Sequence, residues 1–232
     1  RFLSDQGLGG VLADEMGLGK TLQVLAYLCC EAAAGRLDQP ALVVVPTSLI
    51  GNWQREAGRF APDLRLLTLH GPDRHRHMAD IGVHDVVLTS YPLLRRDSSR
   101  LRQQHFRVLV LDEAQTIKNP RSDTARLVRE LQADRRYCLS GTPLENHLGE
   151  YWALFDIVLP GFLGNREQFQ KNYQIPIEQG GDPAKLARLL RRTAPFLLRR
   201  TKAEVAPELP GKTTLVRTVA LSGRQAELYE AI

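Results

Sequence analysis

From residue 10 to residue 140 the chain repeats one pattern, a short run of consecutive apolar residues followed by a longer stretch with apolar residues at helical spacing. The runs fall at 10–13, 41–45, 64–69, 85–89, 107–111 and 136–140, and the segment Ala41-Leu42-Val43-Val44-Val45 is the plainest of them. A strand with one wet face alternates apolar and polar residues. A strand that is apolar throughout is covered on both faces, which is the condition of a parallel sheet in βαβ units. The intervening stretches 20–34, 49–60 and 122–133 supply the helices, with apolar residues three and four apart. The pattern therefore predicts an α/β fold with a central, mostly parallel sheet flanked by helices.

Beyond about Gly149 the alternation stops. Helical spacing at 150–158, 166–173 and 183–192 is broken by Pro160-Gly161 and Gly180-Gly181. The basic stretch Leu197-Leu198-Arg199-Arg200-Thr201-Lys202 follows, then Leu209-Pro210-Gly211-Lys212 and a strand-like alternation at 213–221. This divides the chain into 1–148, an α/β lobe, 149–202, a helical part, and 203–232, a linker.

In open α/β sheets ligands bind outside the carboxyl ends of the strands, and the chemistry-bearing residues sit at those ends. The run 10–13 leads into Asp14-Glu15-Met16-Gly17-Leu18-Gly19-Lys20-Thr21 and then an apolar helix. A glycine-containing loop opening a helix presents backbone N–H groups to a phosphate. Lys20 would reach the β/γ-phosphates, and the Thr21 hydroxyl would hold Mg²⁺. The general pattern expects glycine where this chain has Asp14, so by residue pattern alone a loop of other purpose stays open. The run 107–111 ends in Asp112-Glu113-Ala114-Gln115. Asp112 suits Mg²⁺ held through water, and Glu113 suits a general base for water; the bland alternative is a solvated helix start. Pro46-Thr47-Ser48 and Thr89-Ser90-Tyr91 read on their own as helix caps, and Ser140-Gly141-Thr142 as the exit of a strand into a turn.

Taken in order, these segments resemble the Swi/Snf-type ATPases, DNA translocases of helicase superfamily two. Matching elements are Asp14–Thr21, Val44-Val45-Pro46-Thr47-Ser48-Leu49 with Asn52-Trp53, Thr89-Ser90-Tyr91, and Asp112-Glu113-Ala114-Gln115 with Ile117-Lys118-Asn119. Leu139-Ser140-Gly141-Thr142-Pro143-Leu144-Glu145-Asn146 and Phe196–Lys202 with Leu209–Lys212 complete the series. Asp14 is that family's own form of the loop. The resemblance implies a first RecA-like P-loop NTPase lobe with a helical protrusion, using ATP and Mg²⁺. It makes Met16, Gly17, Leu18, Gly19, Lys20, Thr21 and Gln115 the nucleotide contacts, with Lys20, Asp112 and Glu113 catalytic and Thr21 and Asp112 the metal holders. It makes Pro46, Thr47, Ser48, Thr89, Ser90, Tyr91, Lys118 and Asn119 contacts to the DNA backbone, and Ser140, Gly141 and Thr142 the coupling element. Arg199-Arg200 resembles a brace between lobes. Gln115 stands where many relatives carry histidine; it keeps a donor and an acceptor but cannot be protonated, and it is the form of bacterial members.

The resemblance further implies double-stranded DNA, protein–DNA complexes and a second RecA-like lobe of the same chain as partners, in a cytoplasmic, nucleoid-associated setting. The adenine-sensing segment would lie before Arg1, and the second lobe with its arginine finger after about Thr213. On that expectation the 232 residues alone bind nucleotide weakly and hydrolyse it very slowly. Two other classes stay open: a strand-separating DNA or RNA helicase, and a nucleotide-dependent binding module without activity.

Composition narrows little else. A net charge of +5 permits a nucleic-acid partner, and no apolar run is long enough to span a bilayer. The three cysteines, Cys29, Cys30 and Cys138, read as core residues of a reducing compartment. Arg74-His75-Arg76-His77 reads as a solvated loop in preference to a metal site, and Arg95, Arg96, Arg100 and Arg102 as an exposed face or a DNA groove. Trp53 and Trp152 read as packing residues.

Overall fold

In a computed structural model of the chain, residues 2–117, 119–141 and 148–205 are described. Residues up to Thr201 form one unit, and the second unit, Lys202–Ile232, is described only for the short helix α11 (Lys202–Val205). Lys118, Thr142, the segment 143–146, and the segments 209–212 and 213–221 lie outside the described residues.

The first unit begins with α1 (Phe2–Asp5), β1 (Gly10–Leu12), α2 (Lys20–Ala33), β2 (Ala41–Val45) and α3 (Ile50–Phe60). It continues through β3 (Leu66–Thr68), β4 (Val86–Ser90), α4 (Tyr91–Arg96), α5 (Ser98–Leu101), β5 (His105–Leu111), α6 (Asp123–Glu130) and β6 (Gln132–Leu139). The helical part holds α7 (Leu148–Val158), α8 (Arg166–Phe169), α9 (Ile175–Glu178) and α10 (Pro183–Thr193), and the chain then returns to the sheet as β7 (Leu197–Leu198). The seven strands lie in the order β3-β4-β2-β5-β6-β1-β7, and every pairing is parallel.

The continuous apolar strands are buried on both faces, as their composition requires. Val43, Val45, Val108 and Val110 join α2 and α3 in one core through Val24, Leu25, Leu28, Ile50, Trp53 and Ala57. Their neighbours Leu42, Val44, Leu109 and Leu111 point the other way and pack with Tyr151, Phe155 and Phe169 of the helical part. Successive side chains on a strand face opposite sides, so each run feeds two cores at once. On that face α7 of the helical part covers β1 and β6, and α4 covers β2 and β4.

Three sequence expectations are corrected. The helix expected at 122–133 ends at Glu130, where Leu131 turns extended, and β6 begins at Gln132. The first half of β6 is polar because it lies at the rim of the sheet, where Asp134 pairs with His105 and Arg107 of β5, so it carries no apolar signature. Cys30 is exposed and Cys29 only part-buried. Adjacent helical residues point about 100° apart, and the buried stripe of α2 continues through Leu28 to Glu31. Arg74 belongs to no solvated loop. It lies in the 3₁₀ segment Pro72–Val83, is 9% exposed, and donates from Nε and Nη2 to the buried Asp97 carboxylate at 2.8 and 3.1 Å.

Candidate functional site

Among the described residues, the loop after β1 and the segments at Pro46, Ser90, Asp112 and Ser140 fall at the carboxyl ends of the strands, so the sheet order places them along a single edge. Ser90 ends β4, Pro46 follows β2, and Asp112 follows β5. Ser140 follows β6, the loop from Ala13 to Gly19 follows β1, and Arg200 lies just past β7. The ladder runs on past the assigned strands: Asp112 N donates to Val44 O at 2.9 Å, and Ser140 N to Leu12 O at 3.0 Å. Ala13 N donates to Leu198 O at 2.7 Å, and Glu15 N to Arg200 O at 3.0 Å.

The loop between β1 and α2 takes its shape from glycines at Gly17 (φ 88°) and Gly19 (φ 68°), left-handed conformations that cost other residues energy. Met16, Gly17 and Gly19 are exposed, Leu18, Lys20 and Thr21 part-buried. The Lys20 ammonium donates to the Asp14 carbonyl at 2.9 Å. Asp14 is fully buried and is held from three directions. Arg200 donates from Nη2 at 2.5 Å, from Nε at 3.2 Å to both oxygens, and from its backbone N at 3.0 Å. Gln23, one turn into α2, donates to Asp14 at 3.1 Å and to Leu18 O at 3.0 Å, and accepts from Arg200 at 2.7 Å. Burial on its own raises the Asp14 carboxyl; the hydrogen bonds of Arg200 and Gln23 outweigh it and hold the group below its ordinary value. The residue that breaks the general phosphate-loop pattern thus ties the loop to β7.

Asp112 is 5% exposed, with Oδ2 accepting from Trp53 Nε1 at 2.8 Å and Oδ1 from the Glu113 N–H at 2.9 Å. Burial pushes its carboxyl above the ordinary value, the Trp53 bond opposes that, and the nearby Lys20 charge opposes it further. Glu113 has φ 49°, the one non-glycine residue in the left-handed region among the described residues. Gln115 Nε2 donates to Glu113 Oε2, and Ser140 Oγ donates to Gln115 Oε1 at 3.0 Å, so a hydrogen-bonded chain runs from β6 to Glu113. Gly141 lies so close to Met16 that a Cβ there would sit 2.9 Å from the Met16 Cγ.

At the other end of the edge Thr47 and Ser48 are exposed, while Thr89 and Ser90 are fully buried and Tyr91 is 4% exposed. Thr89 Oγ1 donates to Leu69 O at 3.3 Å and Tyr91 OH to Asp112 O at 2.8 Å, so neither hydroxyl faces outward as a DNA contact would need. The helix-cap alternative is not realised either, for no side-chain cap bond is made at the starts of the Thr47–Leu49 turn, α3 or α4. Ser90 Oγ is buried with no hydrogen-bond partner among the described residues, and it borders a hollow of about 530 Å³ shared with Thr47, His70, Arg74 and Arg96. Asn119 is exposed, with its Oδ1 accepting from the Arg121 N–H at 3.0 Å. Of the basic residues nearby, Arg102 pairs with Glu130 at 2.9 Å and Arg100 donates to His75 O at 3.3 Å.

The residue pattern reads Trp53 as packing and Arg200 as part of a basic stretch, and each is a polar partner of a motif carboxylate. The only hint was their recurrence beside the motifs, because a through-space pair such as Arg200 with Asp14 has no local signature.

Residues 2–232 match the family described as the SNF2-related domain. The chain belongs to that family. It is 44% identical over 237 residues to the putative ATP-dependent helicase/translocase YwqA of Bacillus subtilis, covering all of the chain and 26% of that relative. It is 38% identical over 246 residues to the chromatin-remodeling ATPase INO80 of Arabidopsis thaliana, covering 98% of the chain and 16% of that protein. Among solved structures, the Sulfolobus solfataricus SWI2/SNF2 ATPase core in complex with dsDNA superposes with a TM-score of 0.81 at 39% identity, over 88% of the chain and 42% of that structure. The same core domain solved separately gives 0.79 at 37% identity, over 99% and 47%. The SNF2-related chain thus spans about a quarter or less of these curated relatives. Its seven-stranded parallel sheet matches the RecA-like lobe of that core, and the Bacillus subtilis relative agrees with a bacterial source. Among the described residues no helix is long and apolar enough to cross a membrane.

Proposed function

We propose that the chain is the nucleotide-binding half of a DNA-dependent ATPase that translocates on double-stranded DNA and remodels protein–DNA complexes. The observation that carries this reading is the placement of the Lys20 loop after β1 and of Asp112 and Glu113 after β5 at the same edge of one parallel sheet, with Ser140 reaching Glu113 through Gln115.

The glycine loop and the amino end of α2 bind the phosphates of ATP through backbone N–H groups, and Lys20 leaves the Asp14 carbonyl for a phosphate oxygen. Thr21 and Asp112 fit Mg²⁺. Each Asp112 oxygen already accepts one N–H and keeps a lone pair, which suits contact through the ion's water shell. When bound, Mg²⁺ would supply positive charge that offsets the charge developing on the phosphate oxygens. Glu113 takes the proton of the attacking water, while Gln115 fixes one of its carboxylate oxygens. Ser140 and Gly141, with Thr142, pass the state of the nucleotide to the DNA side.

DNA binds at the β4–β2 end of the edge, through Thr47, Ser48, the backbone around Pro46 and Ser90, and Asn119 with Lys118. Contacts of that kind fix a duplex by its phosphates and read no sequence, as a translocase requires. Ser90 Oγ has no partner among the described residues and borders the same hollow as the exposed Thr47, which supports a phosphate contact there. Thr89 and Tyr91 act from inside. A second RecA-like lobe completes the cleft, and nucleoid association follows from the DNA.

Glu113→Gln in the full-length protein is the test. DNA-stimulated ATP turnover should fall by about 10²-fold or more while nucleotide binding is kept. Unchanged turnover would remove Glu113 as the base.

A further inference from the structure

Two aromatic side chains from separate segments converge on Asp112. Trp53 lies one turn into α3, just after the Thr47–Leu49 turn, is 2% exposed, and donates its indole N–H to Asp112 Oδ2 at 2.8 Å. Tyr91 is the first residue of α4, next to Ser90, and its hydroxyl donates to the Asp112 carbonyl at 2.8 Å. Thr47 and Ser90, which lead into these two helices, both border the same hollow.

The Asp112 carbonyl belongs to the peptide that joins Asp112 to Glu113. The N–H at the other end of that peptide donates to Asp112 Oδ1, whose partner oxygen is the one held by Trp53. Tyr91 therefore fixes one end of the peptide plane, Asp112 the other, and Trp53 fixes the carboxylate that does so. The plane's rotation sets φ of Glu113, which stands at 49° in the left-handed region. Such a conformation persists only where neighbours over-determine it. A buried indole and a buried phenol each need an acceptor. That both take theirs from this one residue, one at the carboxylate and one at the main chain, goes beyond satisfying them.

We propose that Trp53 and Tyr91 are positioning residues that link the two segments bordering the hollow to the Asp112–Glu113 peptide. DNA held by the Thr47 and Ser90 segments then sets the geometry of the metal-holding carboxylate and the base. The inference rests on the DNA reading given above. It predicts a coupling between DNA and nucleotide that passes through two single hydrogen bonds, and coupling of this kind is reciprocal in binding.

The experiment uses the full-length protein, a fluorescent ATP analogue with Mg²⁺, and a duplex oligonucleotide. Nucleotide affinity is measured with and without duplex in wild type, Tyr91→Phe and Trp53→Phe, with duplex affinity and thermal midpoint recorded for each. Tyr91→Phe removes one oxygen and keeps the ring. In wild type duplex should tighten nucleotide binding on the order of 10-fold. In Tyr91→Phe that factor should fall to about 2, with duplex affinity alone within about 2-fold and the stimulated rate falling more than the basal rate. Trp53→Phe should lower the factor in the same direction. An undiminished factor in both variants overturns the proposal, and so does an equal loss of basal and stimulated rates, the mark of a merely structural role. Wild type that binds duplex with no effect on nucleotide affinity overturns this inference alone. Wild type that does not bind duplex at all overturns the DNA reading first.

Discussion

At the β1–β7 end of the edge the buried carboxylate already has its partners in place. Asp14 is fully buried between Arg200 and Gln23, and the carboxyl end of the same helix carries a second buried ion cluster in which Glu31 meets Arg36 at 2.6 Å and Arg135 at 2.7 Å. At the β4–β2 end Thr47 and Ser48 face solvent and Ser90 Oγ has no partner among the described residues. The contrast separates two kinds of binding. A small anion held by a loop needs its N–H groups aimed beforehand, since loop ordering would otherwise be charged against affinity. A long polyanion brings many contacts of its own, and its site can leave hydroxyls waiting.

The largest break of this contrast comes from Arg200→Ala, which leaves Asp14 buried without its cation. The expected loss of folding free energy is about 3 kcal/mol, the low end for a broken buried pair because the Arg200 side chain is 40% exposed. Nucleotide binding should weaken with it, and Arg200→Lys should recover only part, lacking the fork geometry. Chemical denaturation with a nucleotide titration checks both; a change below about 0.5 kcal/mol would mean the loop holds itself.

Next comes the other end of α2. Arg36, against the opposing effect of burial, and then Arg135 hold the Glu31 carboxyl at about 2, well under its ordinary 4.5. A depressed carboxyl stabilises the fold fully above its unfolded value and loses that contribution as pH falls toward the folded one. Glu31→Gln should therefore lower stability near neutrality and flatten the loss between pH 4.5 and about 2. Denaturation midpoints across that range decide it, and an acid limb identical to wild type would show that Glu31 does not carry it.

The smallest effect on stability belongs to the β4–β2 end. Ser90→Ala removes an unpaired buried hydroxyl and should change folding free energy by no more than about 0.5 kcal/mol in either direction. Thr47→Ala with Ser90→Ala should still weaken duplex binding by about 5- to 10-fold, as the loss of one or two phosphate hydrogen bonds would. A variant that loses stability and keeps DNA affinity would reverse the comparison.

Much of this was legible in the residues. The apolar strands β2 and β5 declared their two-sided burial by composition, and the glycine loop and Asp112-Glu113 declared themselves by spacing. What stayed hidden lacks local signal. A two-residue strand such as β7 has no period, and the polar first half of β6 reads as helix because its partners lie across the sheet. The Arg200–Asp14 pair spans 186 positions. Trp53 reads as packing from sequence and Tyr91 as part of a helix cap or a DNA contact; both rings are core, and only their polar tips join the site.

The place of β1 in the sheet has a consequence for how the chain is made. Of the seven strands β1 comes first in the chain, yet it lies between β6 and β7, the last two of the seven. The neighbouring strands β2, β4 and β5 can pair while synthesis is still under way, but β1 finds its first partner more than 120 residues later and its second past residue 196. Contacts so distant in sequence form slowly. Until Arg200 emerges Asp14 lacks that cation, so the phosphate loop, which follows the first of these seven strands, is finished only after the last of them.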